Sequence, residues 1–249
     1  MVDGMDAAQV IESDGSGRQA SLAEIAYDRI EDLIVHRILK PGADVRMQEL
    51  QVQIGIGRTP VHQAVRRLAA ETLIQIRPRD GLRISPIDLT RDRRLLQLRR
   101  DMDRFVVRLA AMNASGNTRN QMLHIAHQLR SRRAEMELEE FNTYDRLLDR
   151  TLMDAAEEPF LDRTLRPLHT VSRRIGGLHF AEIGGPEALL TTIDRHLDLV
   201  EPVLRRDVDA ALAASDRLID FADSMFDELE AKVDPALLDV QLGTFGKSR

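Results

Sequence analysis

The helix predicted to begin at Thr59 carries side chains of the kinds that read DNA bases. Arg58, at the entrance of this helix, can donate two hydrogen bonds to a guanine, and Gln63 can offer its amide to an adenine. Thr59 can meet a phosphate or a thymine methyl group, and Arg66 and Arg67, one turn later, supply charge for phosphate. Such a face is also typical of a solvated surface helix, so its interpretation depends on the neighbouring elements.

Three helices are predicted around this face. Residues 22–38 and 47–54 place apolar side chains at helical spacing. The turn at residues 55–57 leads into the third helix, where Pro60 is tolerated in the first turn. The core side of the third helix lies opposite the polar face and consists of Val61, Ala64, Val65 and Leu68. This order is typical of units whose last helix enters the major groove of DNA.

A hairpin with a basic tip is predicted next. Residues 73–76 and 82–84 alternate as β-strands do, and the turn between them is basic. Residues 22–86 hold ten Lys or Arg against eight Asp or Glu, whereas residues 87–249 hold 24 against 29. A basic segment therefore precedes an acidic one, as expected if only the first approaches phosphate. The sequence predicts a winged helix-turn-helix with a two-stranded wing over the basic segment.

An all-α bundle of about six helices is predicted for residues 87–231. No strand pattern appears there, and the helical periodicity is interrupted by turn residues, among them those at 176–177 and 184–186. Residues 1–21 hold four acids and one base and predict a disordered leader. Residues 232–249 are predicted to be a C-terminal tail. The predicted fold class is thus mainly α.

Several classes of function are excluded by what the sequence lacks. It contains no cysteine, which excludes disulfides, zinc fingers and thiol catalysis. No stretch approaches the roughly 18 apolar residues of a membrane-spanning helix, and the first residues lack the pattern of a secretory signal. No G-x-S-x-G, phosphate-loop or H-E-x-x-H motif is present, so we predict no enzymatic activity. We expect a cytoplasmic protein without a membrane partner.

The order of motifs in the basic segment resembles the GntR family of bacterial transcription regulators. The motifs that carry this resemblance are Pro41-Gly42, Glu49-Leu50, Gly55 to Val61, Ala64 to Leu68 and Arg79-Asp80-Gly81. The remainder is similar to the FadR-type ligand-binding domain of that family. The positions that carry this second resemblance are Leu98-Arg99, Asp103, Asp145 to Leu161, His196, Asp207 and Ala211. The resemblance implies a DNA-binding winged helix followed by a helical effector domain.

The side-chain chemistry and the resemblance together predict DNA contacts on the second helix, the third helix and the wing. The predicted contacts are Gln48, Arg58, Thr59, His62, Gln63, Arg66, Arg79 and Gly81. Three positions depart from the family pattern, because Gly57 replaces a serine, His62 an arginine and Gln63 a glutamate. An imidazole is shorter than a guanidinium and largely uncharged at pH 7. We therefore expect an operator preference different from the family norm.

For the helical domain the resemblance implies a metal site made of an aspartate, a histidine four residues later and two further histidines. The matching positions here are Asp145, Asp149, His196 and Leu218, so two imidazoles are missing. Two carboxylates and one imidazole suit a harder divalent ion than zinc. Two alternatives stay open, an oxygen-rich metal site and an empty one in which His196 meets the effector. A further alternative is that Asp145 and Asp149 are solvated carboxylates and His196 is a hydrogen-bonded core histidine, so that the three residues bind no ligand.

The combined prediction is a homodimeric repressor that binds palindromic double-stranded DNA and is released by a small organic acid. Dimerisation is expected because one winged helix reads only a few base pairs. The predicted effector contacts are Arg99, Asp145, Asp149 and His196, with an arginine forking onto the carboxylate of the effector. The alternative is a helical protein-interaction adaptor without DNA specificity, which explains the bundle but neither the basic helix nor the wing.

Overall fold

The computed structural model describes residues 21–79 and 81–242 of the chain. Contacts within the chain divide it into two compact units. The N-terminal unit comprises residues 21–86 together with residues 238–242, and the helical unit comprises residues 87–237. The predicted leader lies outside the described residues except for its last residue.

The elements of the N-terminal unit follow the predicted order. They are α1 (Leu22–Val35), β1 (Asp44–Val45), α2 (Met47–Ile54), α3 (Arg58–Ala70), β2 (Ile74–Arg77) and β3 (Gly81–Ile84). The strands form an antiparallel sheet in the order β1-β3-β2. The winged helix-turn-helix and its hairpin, β2 and β3, are confirmed. The structure adds β1, because a strand of two residues is too short to be recognised by alternation.

The turn between α2 and α3 is set by its two glycines. α2 ends at Ile54 and is capped by Gly55, whose φ of 67° lies in the left-handed region that favours glycine. Gly57 then precedes α3 with extended backbone and forms no side-chain cap, since the serine hydroxyl of the family pattern is missing. The apolar faces of the three helices enclose the core of the unit, which includes Ile30, Ile34, Leu50, Val61, Val65 and Leu68. Burial of this side of α3 leaves its polar face outward.

The helical unit consists mainly of long helices, which confirms the predicted bundle of about six. They are α4 (Leu89–Asn113), α5 (Gly116–Arg132), α6 (Leu138–Ala156), α7 (Pro159–His179), α8 (Gly185–Leu204) and α9 (Val208–Lys232). A π-helical turn at Phe180–Gly184 joins α7 to α8, and the short α10 (Pro235–Leu238) follows α9. The predicted interruption at residues 176–177 is wrong, because α7 continues through both glycines. A helix-interior glycine costs only about 1 kcal/mol, which the burial of Ile175 and Leu178 offsets.

The core of the helical unit is aliphatic but contains a layer of charged side chains. Its apolar residues include Val106, Ile125, Leu129, Leu148, Leu165, Ile193 and Val200. Its buried charged or titratable residues include Arg99, Asp103, Asp145, Asp149, His169, Arg173 and His196. Charges are buried at a high cost unless they are paired, so this layer marks a candidate site. Within the described ranges, no helix has the length and apolarity needed to cross a membrane.

Candidate DNA-binding surface and effector pocket

The polar face of α3 is exposed to solvent along the helix. Its exposed residues, which we call the α3 face, are Arg58, Thr59, His62, Gln63 and Arg66. Gln48 is exposed on α2, and Arg79 is exposed in the hairpin turn with a φ of 72°. Gly81 begins β3 with a φ of 93°, and a Cβ there would lie 3.2 Å from the Val45 carbonyl oxygen. The structure therefore places the predicted DNA contacts on three elements of one unit, with every predicted side chain exposed.

The arginines of the N-terminal unit differ in whether they are bound within the protein. Arg58, Arg66 and Arg79 form no hydrogen bond or ion pair with any described residue, so their charges are available to DNA. The guanidinium of Arg67 instead lies 4.1 Å from the ring centroid of Tyr27. Its Nε donates a hydrogen bond to Glu71 Oε1 at 3.0 Å. Arg67 thus joins α1 to α3 and is less available to phosphate than Arg66.

The C-terminal residues bind to the base of the hairpin. Nη2 of Arg83 donates to both carboxylate oxygens of Asp239, at 3.0 and 2.8 Å, and its Nε donates to the Gly42 carbonyl at 3.2 Å. The Val240 N–H donates to the Pro41 carbonyl at 3.0 Å. Gly42 has a φ of 77°, and a Cβ there would lie only 1.9 Å from Asp239 Oδ1. Part of the predicted C-terminal tail therefore packs into the N-terminal unit.

A network of buried ion pairs occupies the helical unit. Nη1 of Arg173, on α7, donates to Asp145 Oδ2 at 3.1 Å and to Asp149 Oδ2 at 2.7 Å. The two aspartates lie one turn apart on α6, and this spacing puts both carboxylates on one face, as predicted. The guanidinium therefore lies between the two carboxylates, where a bound metal cation would otherwise neutralise them.

Two histidines extend this network. Nε2 of His196, on α8, lies 2.8 Å from Asp145 Oδ1. His169, on α7, bridges two carboxylates, with Nδ1 2.9 Å from Asp149 Oδ2 and Nε2 3.0 Å from Asp103 Oδ1. Each buried carboxylate therefore has a cationic or imidazole partner, which offsets part of its desolvation cost.

The network shifts the pKa values of His169, His196 and Asp145 toward their charged forms. Burial alone would lower the pKa of His169, but the carboxylates of Asp149 and Asp103 raise it to about 9. Burial likewise opposes protonation of His196, whose pKa is raised by Asp145. Burial would raise the pKa of Asp145, yet His196 and Arg173 hold it well below its usual range. For these three side chains the ion pairs therefore outweigh burial.

Arg99 on α4 is bound at only one of its nitrogens. Its Nε donates to Asp103 Oδ2 at 2.9 Å, and this is its only hydrogen bond to a residue the structure describes. The residue is 9% exposed, and it lines both cavities beside the network. Its terminal nitrogens, Nη1 and Nη2, remain available to a ligand as a planar fork.

Two cavities flank the network and share Arg99, His196 and Leu218. The larger has a volume of about 80 Å³ and the smaller about 20 Å³. Asn142 and His179 also line the larger cavity, and neither was predicted from the sequence. The spacing of three residues between Asn142 and Asp145 puts them on one face of α6, which is a signal that was present in the sequence.

The predicted metal ligands converge, but a cation of the protein already lies among them. Asp145 and Asp149 both bind Arg173, and Leu218 lines the cavities beside His196. In the part of the chain that the structure describes, no group of three or more His, Cys, Asp or Glu side chains is arranged to hold a metal ion. Arg173 therefore lies where the expected metal ion would contact Asp145 and Asp149.

A winged helix with an exposed basic face, followed by a helical domain with a polar pocket, defines a class of DNA-binding transcription regulators. Residues 22–84 match the model of the bacterial regulatory proteins of the gntR family, and residues 94–221 match the FCD domain. The chain belongs to this family of regulators, whose members bind DNA and are not enzymes. Membership confirms the predicted family and favours the regulator over the adaptor alternative.

Named relatives of the chain are also transcription regulators. The HTH-type transcriptional repressor RspR of Escherichia coli K12 is 29% identical over 177 residues, which cover 71% of this chain and 76% of RspR. The HTH-type regulator McbR of the same bacterium is 22% identical over 157 residues, covering 61% of this chain and 70% of McbR. The chain is thus similar to these regulators over most of their length.

Solved structures share the fold. The structure of E. coli McbR/YncC superimposes with a TM-score of 0.74 at 17% identity, covering 85% of this chain and 100% of that chain. A putative GntR regulator from Rhodococcus sp. RHA1 gives a TM-score of 0.62 at 15% identity, covering 83% and 98%. At such identities the similarity shows a common architecture.

Proposed function

We propose that this protein is a repressor that leaves its operator when a small organic acid binds in the helical unit. The effector proposal rests on Arg99, which lines the larger cavity. Its terminal nitrogens, Nη1 and Nη2, form no hydrogen bond to a described residue. A guanidinium with two free terminal nitrogens matches the geometry of a carboxylate. Asp145, Asp149 and His196 support this role by fixing the charges around the fork. The name of RspR as a repressor supports the predicted sign of regulation.

On the DNA side, the α3 face reads the major groove in this proposal. Arg58 lies at the start of α3 and forms no bond to a described residue, so its guanidinium can pair with a guanine. Arg66 and Arg79 are exposed and likewise have no partner among the described residues, which suits them to phosphate contacts. The remaining proposed contacts are Gln48, Thr59, His62, Gln63 and Gly81.

A homodimer on palindromic DNA is part of the proposal and is supported by an apolar stripe on α4. Leu98, Phe105 and Met112 are spaced by seven residues, which places them along one face of the helix. They are 49%, 51% and 55% exposed. A second copy of the chain is the partner that would bury this stripe while placing two α3 faces on a symmetric operator.

The test is a mobility-shift titration with fragments tiling the promoter region of the protein's own gene, at two salt concentrations. We expect salt-sensitive retention of one fragment by a dimer, and release when an organic acid is added. Analytical ultracentrifugation measures the oligomeric state of the same samples. A monomer that retains no fragment would contradict the dimeric repressor, and retention unaffected by any organic acid would contradict the effector proposal.

A further inference from the structure

The larger cavity of the helical unit combines an apolar wall with the polar network. Phe141, Phe180, Leu189, Phe221 and Met225 contribute to the apolar wall. The polar lining is concentrated at the network and at Asn142, one turn from Asp145 on α6. A ligand that fills this cavity must therefore bury an apolar part and hydrogen-bond with another part.

Hydrogen-bond donors at the cavity lack acceptors within the protein. Asn142 is 3% exposed, and its Nδ2 has no partner among the residues described. Both ring nitrogens of His179, a residue 4% exposed, also form no hydrogen bond to the described residues, since the nearest carboxylate, on Glu228, is 3.6 Å away. The terminal nitrogens of Arg99 are available as well. Because a buried unpaired donor is costly, this cavity suits a ligand with acceptor oxygens.

The buried carboxylates beside the cavity already have partners within the network. Asp103 contacts Arg99 and His169, Asp145 contacts Arg173 and His196, and Asp149 contacts Arg173 and His169. The terminal nitrogens of Arg99 can bind one carboxylate of a ligand. A second ligand carboxylate would lie near the Asp145 carboxylate in a largely buried site, and burying a charge without a partner is strongly unfavourable.

The size of the cavity limits the ligand further. One water molecule needs roughly 10–15 Å³ of cavity volume. A cavity of about 80 Å³ therefore holds about five to eight non-hydrogen atoms. This is the size of a short carboxylic acid with an alkyl chain, such as butanoate, pentanoate or hexanoate.

We infer that the effector is a short monocarboxylate with an apolar body, bound through Arg99 and Asn142. The inference rests on the proposed function of the helical unit as the effector site and narrows the class of organic acid. The carboxylate accepts hydrogen bonds from the two named donors, and the body lies against Phe141 and Leu189. Dicarboxylates are disfavoured, because a second carboxylate would lie against the apolar wall or near Asp145 without a cation of its own.

Calorimetric titration of the full-length protein tests the ligand class. The probes are the monocarboxylates butanoate, pentanoate and hexanoate, together with pentanamide and succinate. Pentanamide has nearly the shape of pentanoate without its charge, and succinate adds a second charge while staying within the size of the cavity. We expect at least one monocarboxylate to bind, and pentanoate to bind at least tenfold more tightly than pentanamide or succinate.

An Asn142→Leu variant tests the proposed donor. The substitution removes a buried amide nitrogen that has no partner among the described residues and keeps the number and branching of the side-chain heavy atoms, so the thermal midpoint of the unliganded protein should stay equal or rise. The affinity for pentanoate should fall at least fivefold. Asn120→Leu, at an exposed position on α5, is the matched control and should leave the affinity unchanged. A purely structural role for Asn142 would lower the midpoint without this selective loss of binding.

The outcomes separate this inference from the proposed function. Binding of succinate or pentanamide as tightly as pentanoate would overturn the inference, and so would the absence of binding by every monocarboxylate in the series. In either case, operator release by any organic acid in the mobility-shift assay would still support the repressor proposal. Unchanged pentanoate affinity in Asn142→Leu would also overturn the inference.

Discussion

Replacing Arg173 by methionine removes the cation between Asp145 and Asp149 and keeps most of the side-chain volume. The side chains of the two aspartates are 8% and 12% exposed, so water would not replace the lost partner fully. Removing one member of a buried ion pair typically costs about 3–5 kcal/mol. Since His196 still pairs with Asp145 and His169 with Asp149, we expect a loss near the lower end, about 3 kcal/mol in the free energy of unfolding.

Urea denaturation of the full-length protein at pH 7, followed by circular dichroism, measures this loss. Arg163→Met is the matched control, because Arg163 is exposed on the same helix and its replacement should change stability by less than about 0.5 kcal/mol. A loss below about 1 kcal/mol for Arg173→Met would refute the reasoning that this guanidinium neutralises the two buried carboxylates.

The same variant tests the convergence of the predicted metal ligands. Without the guanidinium, a divalent cation can take its place between the carboxylates of Asp145 and Asp149, beside His196. A ligand that binds only the folded state adds about 2.7 kcal/mol at 100 times its Kd. We expect Zn²⁺ or Mn²⁺ to raise the urea midpoint of Arg173→Met and to leave that of the natural protein unchanged. No stabilisation of the variant by either ion would show that the three side chains do not form one site.

The remaining predictions concern DNA reading, the C-terminal residues and pH. Arg58→Ala should weaken operator binding by about 1–3 kcal/mol and should weaken binding to random DNA much less. Fluorescence anisotropy measures both affinities, and equal losses would contradict direct readout of a base by Arg58. Asp239→Ala should destabilise the N-terminal unit by about 1–3 kcal/mol, because it removes the carboxylate that accepts two hydrogen bonds from Nη2 of Arg83. Unchanged hydrogen exchange of the β3 amides would contradict this expectation. The pKa of His169 is about 9 in the folded protein and about 6.5 when unfolded, so its stabilising contribution is complete below pH 6.5 and is lost as pH rises through 9. Urea midpoints at pH 6 and 9.5 should differ less in His169→Gln than in the natural protein.

The DNA-binding surface was largely predictable from the sequence, but the role of individual arginines was not. The helical period separates Arg58 and Gln63 from the core side of α3, and the structure shows this division. Arg66 and Arg67 are equivalent as residue types. Only the packing of α1 against α3 distinguishes them, because the Tyr27 ring that stacks on Arg67 comes from 40 positions earlier in the chain.

The same limit applies to the C-terminal residues. The sequence predicted a tail after residue 231. No local pattern there marks Asp239 as a residue that contacts another part of the chain. Its partner, Arg83, is 156 positions away. The contact also requires the absence of a side chain at Gly42, which is meaningful only when the two segments are side by side.

Periodicity and turn residues determined the order of helices, the wing and the faces that become buried, because these are local properties that repeat every 3.6 or 2 residues. They also placed Asp145 and Asp149 on one face of α6. Tertiary packing decided what these carboxylates bind, since Arg173 is 28 positions from Asp145 and lies on another helix. A buried helix face can be recognised from apolar spacing, but which charged side chain of that face lies opposite a carboxylate depends on how two helices pack together.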